Sequence, residues 1–208
     1  MLRGVAALTK CPVIGDLATV IAKHPDPELS IAFNHKQIGS KLWLRDALAG
    51  SIGPSLRRVL VVGGWFGVLS AMLLDDNRFS LAHATSLDID PRCAPVARLL
   101  NRRAVEAGRF EAVTSDMYLF DYRRPQDGFD CVINTSCEHI PDLRAWLALL
   151  PPDAAVVLQS NDYRREPDHV ACVDSLADFE AQARLSSVIW RGELPTKNYH
   201  RFMLIGRR

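Results

Sequence analysis

Hydrophobic positions in this chain fall into two rhythms that alternate along its length. Ile14, Leu17, Ala18 and Ile21 recur at i, i+3, i+4 and i+7, the spacing of an amphipathic helix, and His24-Pro25-Asp26-Pro27 stops it. A second helix is expected over His35 to Leu48 with Ile38, Leu42 and Leu48 inward, closed by Gly50 and Gly53-Pro54. Then the rhythm changes. Val59-Leu60-Val61-Val62 is an unbroken apolar run, as expected of a strand buried on both faces. Val68 to Leu74 reads as a helix, and Ala84 to Asp90 as a short strand ending in carboxylates. A helix over Ala94 to Ala107 carries the stripe Val96, Leu99, Leu100 and Ala104, with Gly108 as its stop. Phe110 to Val113 and Phe129 to Asn134 read as the third and fourth strands. Leu143, Trp146, Leu147 and Leu150 stripe the next helix, which Pro151-Pro152 breaks, and Ala154 to Gln159 is a fifth buried strand. Ser175 with Asp178 forms a capping box opening a helix to about Arg184. Ser187 to Leu194 and Arg201 to Gly206 are the last strands, joined by a turn over Pro195 to Asn198.

Strands alternating with helices imply a mostly parallel sheet with right-handed crossovers, and the short final connection makes the last two strands antiparallel. The expected fold is therefore α/β, a single three-layer Rossmann-like domain. It has a mostly parallel seven-stranded sheet and an antiparallel C-terminal hairpin. Residues 1–54 supply N-terminal cap helices and residues 55–208 the Rossmann-like part.

Gly63, Gly64 and Gly67 crowd the turn between the first strand and its helix. Glycine lets backbone approach a ligand closely, and the helix N-terminus adds free N–H groups and a favourable dipole. Asp88 follows Gly67 by twenty-one residues. That is the spacing at which a Rossmann-type fold places a carboxylate on ribose hydroxyls, so turn and acid together read as a nucleoside site.

Composition narrows the classes. The 208 residues are 48% hydrophobic and 24% charged, enough for one domain with a sheet covered on both faces. A formal net charge of +1 gives no global field toward nucleic acid or an anionic membrane, so neither is expected as a partner. The arginine pairs, Arg102-Arg103 among them, are scattered and read as solvated surface. Cys11, Cys93, Cys131, Cys137 and Cys172 include no C-x-x-C pair, so neither a zinc knuckle nor a disulfide framework is expected and no metal is assigned. Met1 to Ala22 lacks a long apolar core, and no run is long enough to span a bilayer. A cytoplasmic protein, monomer or homodimer, is the expectation.

With these residues placed, Arg58 to Arg208 resembles the class I, seven-stranded S-adenosylmethionine-dependent methyltransferases. Gly63 and Gly67 match the family's glycine loop, Asp88 its ribose-binding acid, and Asp116 in Thr-Ser-Asp-Met the acid on the adenine amino group. Glu138-His139-Ile140-Pro141-Asp142 looks like a run common after the fourth strand of small-molecule methyltransferases, where cofactor sulfur and acceptor meet. The resemblance implies S-adenosyl-L-methionine as cofactor, held by Gly63, Gly64, Trp65, Gly67, Asp88, Ile89, Asp116, Met117 and Asn134. Two positions depart from the pattern. Val61 stands where the family has an acid, and Trp65 where it has glycine. The indole could shield the cofactor's methionine tail or fill core.

Methyl transfer from a sulfonium is an in-line displacement that needs alignment, exclusion of water and sometimes a base. Asn134 could orient the nucleophile, His139 take its proton, and Glu138 act as base or fix the histidine. A helix-start pair without catalytic part is the alternative reading of Glu138 and His139. Cys137 is a further candidate nucleophile. The polar cluster after the fifth strand, Gln159 to Tyr163 and then His169, should face a small-molecule acceptor, with Asn161, Tyr163 and His169 in contact; the same residues also suit a turn. Tyr199, His200 and Arg201 are further candidates. Three classes remain: methylation of a small polar metabolite, use of the cofactor's aminobutanoyl arm, or non-catalytic cofactor binding.

Overall fold

The computed structural model describes residues 2–9, 12–123 and 128–208. Four helices come first, α1 (Leu2–Thr9), α2 (Pro12–Lys23), α3 (Pro27–Ala32) and α4 (His35–Ser51). The alternating part runs β1 (Arg58–Val62), α5 (Val68–Asp75), β2 (His83–Asp88), α6 (Cys93–Leu100), α7 (Arg102–Glu106), β3 (Phe110–Thr114), β4 (Cys131–Asn134), α8 (Leu143–Leu147) and β5 (Ala155–Asn161). It closes with α9 (Leu176–Ala183), β6 (Ser187–Pro195) and β7 (His200–Arg207).

One seven-stranded sheet has the order β3-β2-β1-β4-β5-β7-β6. β1 to β5 are parallel, while β7 runs antiparallel between β5 and β6. The order reverses at β1, which pairs with β2 on one side and β4 on the other. That reversal opens a crevice at the strands' carboxyl ends, where open α/β sheets bind ligands.

Successive residues of β1 feed opposite cores, as the strand's period of two demands. Val59 and Val61 pack with Leu44, Leu48, Leu69 and Leu73 from α4 and α5. Leu60 and Val62 pack with Leu143, Trp146 and Phe179 from α8 and α9. A third cluster seats the N-terminal helices: Val20, Leu29 and Ala32 meet Phe66 and Val68 beside the glycine turn, and Val96 and Leu100 of α6.

Several helix expectations shift in phase. In α2, Val20 and Asp16 face inward and Ile21 is exposed. Asp16 is buried because Arg102 and Arg103 converge on its two oxygens, each at 2.8 Å, so this arginine pair ties α2 to α7 rather than only facing water. In α4, Leu44 replaces Leu42 as an inward residue. Leu44 and Leu48 enter the core shared with β1, α5 and β7, and Trp43 packs edge-on to Trp190 of β6 at 5.8 Å. The proline run does end α2, but Pro27 also starts α3, with the Asp26 carboxylate accepting the Glu28 N–H at 2.8 Å. The helix expected over Ala94 to Ala107 divides at Asn101, whose amide donates to the carbonyls of Ala97 and Gly67. β5 continues past Gln159 through Ser160 and Asn161, which the sequence placed in the following loop.

Candidate active site

Register places the site. Val62 lies opposite Leu87 and Asn134, Asn134 opposite Leu158, and Asp88 opposite Thr114. Gly63, Asp88, Asp116 and Asn134 therefore gather at one rim of the sheet.

The glycine turn is stereochemically demanding. Gly63 and Gly67 have φ of 63° and 72°, the left-handed region. A Cβ at Gly64 would sit 2.0 Å from Ser86 Oγ, and one at Gly67 2.8 Å from Asn101 Nδ2. Beside Gly63 the space is open, the nearest atom to an added Cβ being Ser136 Oγ at 3.9 Å. Trp65 takes φ 50°, a left-handed conformation that costs a side-chain-bearing residue about 1–2 kcal/mol. Two contacts hold it there. Its N–H donates to Asp88 Oδ2 at 2.7 Å, and its indole stacks on Phe66 at 5.0 Å. The indole is partly buried against the cluster of α2, α3 and α6.

Asp88 is thus more than a strand end. Oδ2 holds the turn through Trp65, and Oδ1 accepts the Asp90 N–H at 3.0 Å. Each oxygen keeps a lone pair for a further donor. Ile89 is exposed, while Asp90 pairs with Arg92 at 2.6 Å. Asp116 accepts the Tyr118 N–H at 2.8 Å, and the preceding Ser115 N–H binds the Asp88 carbonyl, which ties the ends of β2 and β3 together. Met117 is half-buried against the α8 core. Open room beside Gly63, a fixed turn and two acids at adjacent strand ends suit the methionine, ribose and adenine parts of S-adenosylmethionine.

The second half of the site follows β4. Asn134 is buried, and its Oδ1 accepts the Ser136 N–H at 2.9 Å, so part of its amide shapes its own turn. Cys137 is fully buried with its thiol pushed well above the usual value by that burial, which removes it as a nucleophile. Cys137–His139 form a short 3-10 turn rather than the start of α8. It buries Glu138 and leaves the His139 side chain 37% exposed. The loop after β5 folds back over this turn, with the Ala171 N–H on the Glu138 carbonyl.

That fold-back assembles one polar cluster. Asn161 donates to Glu138 Oε1 at 2.5 Å and accepts the Tyr163 N–H at 2.9 Å. His169 Nδ1 lies 2.6 Å from the Tyr163 carbonyl, and its ring is edge-on to His139 at 4.6 Å. Asp168 Oδ2 is 3.3 Å from His139 Nδ1. Glu138, His139, Asn161, Tyr163 and His169 are thus brought together, and Asp168 joins them without having been foreseen. His200 points elsewhere and pairs with Asp162 at 3.1 Å. Arg201 is buried and donates to the Thr135 carbonyl at 3.2 Å.

Lys41 of α4 was also missed. Burial, and then the charge of Arg201, lower its ammonium to about 8. The folded chain holds the ammonium less favourably than the unfolded chain does, so between pH about 8 and 10.4 the unfolded chain binds more protons and stability rises with pH. Lys41→Met should therefore stabilise the protein by about 1–3 kcal/mol near neutral pH, with the gain fading by about pH 10.5. Urea melts at the two pH values check this; equal stability at neutral pH would place the amine in water.

No family model and no curated protein matches the sequence. Solved structures do. The chain is similar to the N-methyltransferase NodS from Bradyrhizobium japonicum WM9 in complex with S-adenosyl-L-homocysteine, with a TM-score of 0.63 at 12% identity over 93% of this chain and 98% of that one. It is similar to an O-methyltransferase from Bacillus cereus, also in complex with S-adenosyl-L-homocysteine, with a TM-score of 0.63 at 17% identity over 94% and 90%. The [4+2]-cyclase SpnF has a TM-score of 0.63 at 12% identity over 83% and 82%. The chain has the class I S-adenosylmethionine-dependent methyltransferase fold, with that fold's strand order and antiparallel hairpin. Neighbours with this fold carry different chemistries, so the reaction must be argued from the site. Among the described residues no helix is long and apolar enough to cross a membrane.

Proposed function

We propose that this protein is an S-adenosylmethionine-dependent methyltransferase that methylates a nitrogen or oxygen of a small polar metabolite. The observation that carries this reading is the polar cluster of Glu138, His139, Asn161, Tyr163 and His169 beside the rim that holds the glycine turn and Asp88. The cofactor supplies an electrophilic methyl group on a sulfonium. Gly63 to Gly67, Asp88 and Asp116 bind and orient it, with Ile89, Met117 and Asn134 beside them. Trp65 covers the turn. Asn134 and Tyr163 align the acceptor, and the Glu138–His139–His169 group accounts for the proton its nucleophile gives up. Alignment and removal of that proton are what such a displacement asks of a protein. The near-neutral charge supports a small acceptor over nucleic acid.

A second reading, use of the aminobutanoyl arm, draws on Trp65, because an indole at a glycine position of the turn alters the surface next to the methionine part. Mass spectrometry of the products decides between them. S-Adenosylhomocysteine is expected once the acceptor is supplied; methylthioadenosine in its place would establish the second reading. Cofactor binding with neither product on a metabolite extract would favour a binding module.

A further inference from the structure

The sequence assigns no metal to this chain, yet the fold brings two imidazoles and a carboxylate to one point. One ligand atom from each of Glu138, His139 and His169 lies within 4.8 Å of the other two. Ligands at 2.0–2.2 Å from a shared ion sit about 3–4 Å apart, so modest side-chain rotation would close this set around a cation.

Three observations separate the cluster from a chance gathering of polar groups. First, Glu138 is 3% exposed and its Oε2 is buried without a hydrogen-bond partner. Among the described residues it has no ion-pair partner, so one oxygen of a buried carboxylate is left unsatisfied, which is costly unless a cation or donor completes it. Second, His169 Nδ1 faces a carbonyl at 2.6 Å, which can only accept, so Nδ1 is the donor and, in the neutral ring a metal requires, Nε2 is the atom left to ligate. The Asp168 carboxylate beside His139 Nδ1 acts in the same sense on the other ring. Third, the partners of these groups form an outer layer: Asn161 fixes Glu138 Oε1, the Tyr163 N–H fixes Asn161, and the Tyr163 carbonyl fixes His169. Ligating histidines characteristically donate their second N–H to a carbonyl or carboxylate, and those outer partners set ring orientation.

We propose that Glu138, His139 and His169 bind one divalent transition-metal ion of zinc type, leaving open positions toward the acceptor crevice. Two imidazole nitrogens and one carboxylate favour such an ion over magnesium or calcium, which prefer all-oxygen sets. This deepens the methyl-transfer reading and rests on it for the ion's use: an acceptor bearing a hydroxyl or amine would bind there and be made more acidic, with His139 a ligand rather than a free base. Binding of the ion itself does not depend on that reading.

The test uses metal alone. Protein stripped with a chelator is dialysed against Zn2+, and separately titrated with Co2+ while the visible spectrum is recorded. One equivalent of zinc per chain is expected, and a cobalt spectrum without a thiolate charge-transfer band, which excludes Cys172 as a ligand. Glu138→Gln and His169→Ala should each weaken binding by at least the 10–100-fold typical of losing an outer partner. His169→Ala alters a half-buried position, and a thermal melt of each variant verifies folding. Failure of the wild type to retain zinc, or unchanged affinity in folded His169→Ala, would overturn the site. Methyl transfer at full rate by metal-stripped protein would overturn the ion's part in the reaction while leaving the proposed function standing. Stoichiometric zinc without methyl transfer would sustain the site and sink the function.

Discussion

His139→Ala should lower turnover about 100- to 10,000-fold while leaving affinity for S-adenosylmethionine nearly unchanged, the range typical of losing a group that assists proton removal, whether as base or as a ligand of the ion that acidifies the acceptor. The separation of the two effects follows from the site's layout. His139 is on the turn after β4 and faces Asp168 and His169, whereas Asp88 holds the glycine turn through Trp65. Its loss therefore falls on the acceptor side. Substitution by Gln preserves volume and one hydrogen bond but removes the imidazole lone pair, so it should recover little of the rate. Stopped assays with labelled cofactor measure turnover, and calorimetry measures cofactor affinity. Normal turnover in His139→Ala would make the residue a bystander and move the chemistry to Glu138 or the Asn161–Tyr163 pair.

The second large effect is expected at Asp88. Asp88→Ala should weaken cofactor binding by about 1.5–3 kcal/mol, the range for hydrogen bonds to a charged group, or roughly 10- to 150-fold. Part of this comes from lost ribose contact and part from the turn. Without Asp88 Oδ2 the Trp65 N–H loses its 2.7 Å partner, and the stacking on Phe66 is left to oppose the cost of φ 50° at that residue. The turn should loosen even without cofactor, so faster amide exchange at Trp65 is expected alongside the weaker binding. Asp88→Asn keeps the geometry but loses the charge, and should fall between wild type and Ala. Unchanged affinity in a folded Asp88→Ala protein would refute this placement of the ribose.

β1, β4 and β5 were readable because each contains a dense apolar run, and a strand covered on both faces leaves no other pattern. Helix faces were less readable. In α4 the inward Leu44 joins a core with Val157, Met203 and Ile205, which lie far along the chain, while Leu42 stays exposed. The break at Asn101 likewise depends on the Gly67 carbonyl, a partner on a different element. At the site, the residues on strand ends and the β4 turn could be named because their position follows from the order of elements. Asp168 could not, since its approach to His139 exists only once the loop after β5 has folded back. The pairing of Glu138 and His139 with His169 was hidden for the same reason: nothing in the spacing of these residues resembles a metal motif.

The position of β7 bears on how the protein is made. β5 is buried along its whole length, and the edge it offers away from β4 is covered only by residues 201–207. A ribosome completes β1 to β5, with their helices, well before those residues exist. During that interval Ala155-Val156-Val157-Leu158 presents a bare, apolar strand edge of the kind that recruits other chains. Insertion of β7 between β5 and β6 is thus the event that ends the nascent chain's exposure to self-association. Slow synthesis or loss of the segment that encodes β7 should appear as aggregation during expression rather than as a soluble, partly active product.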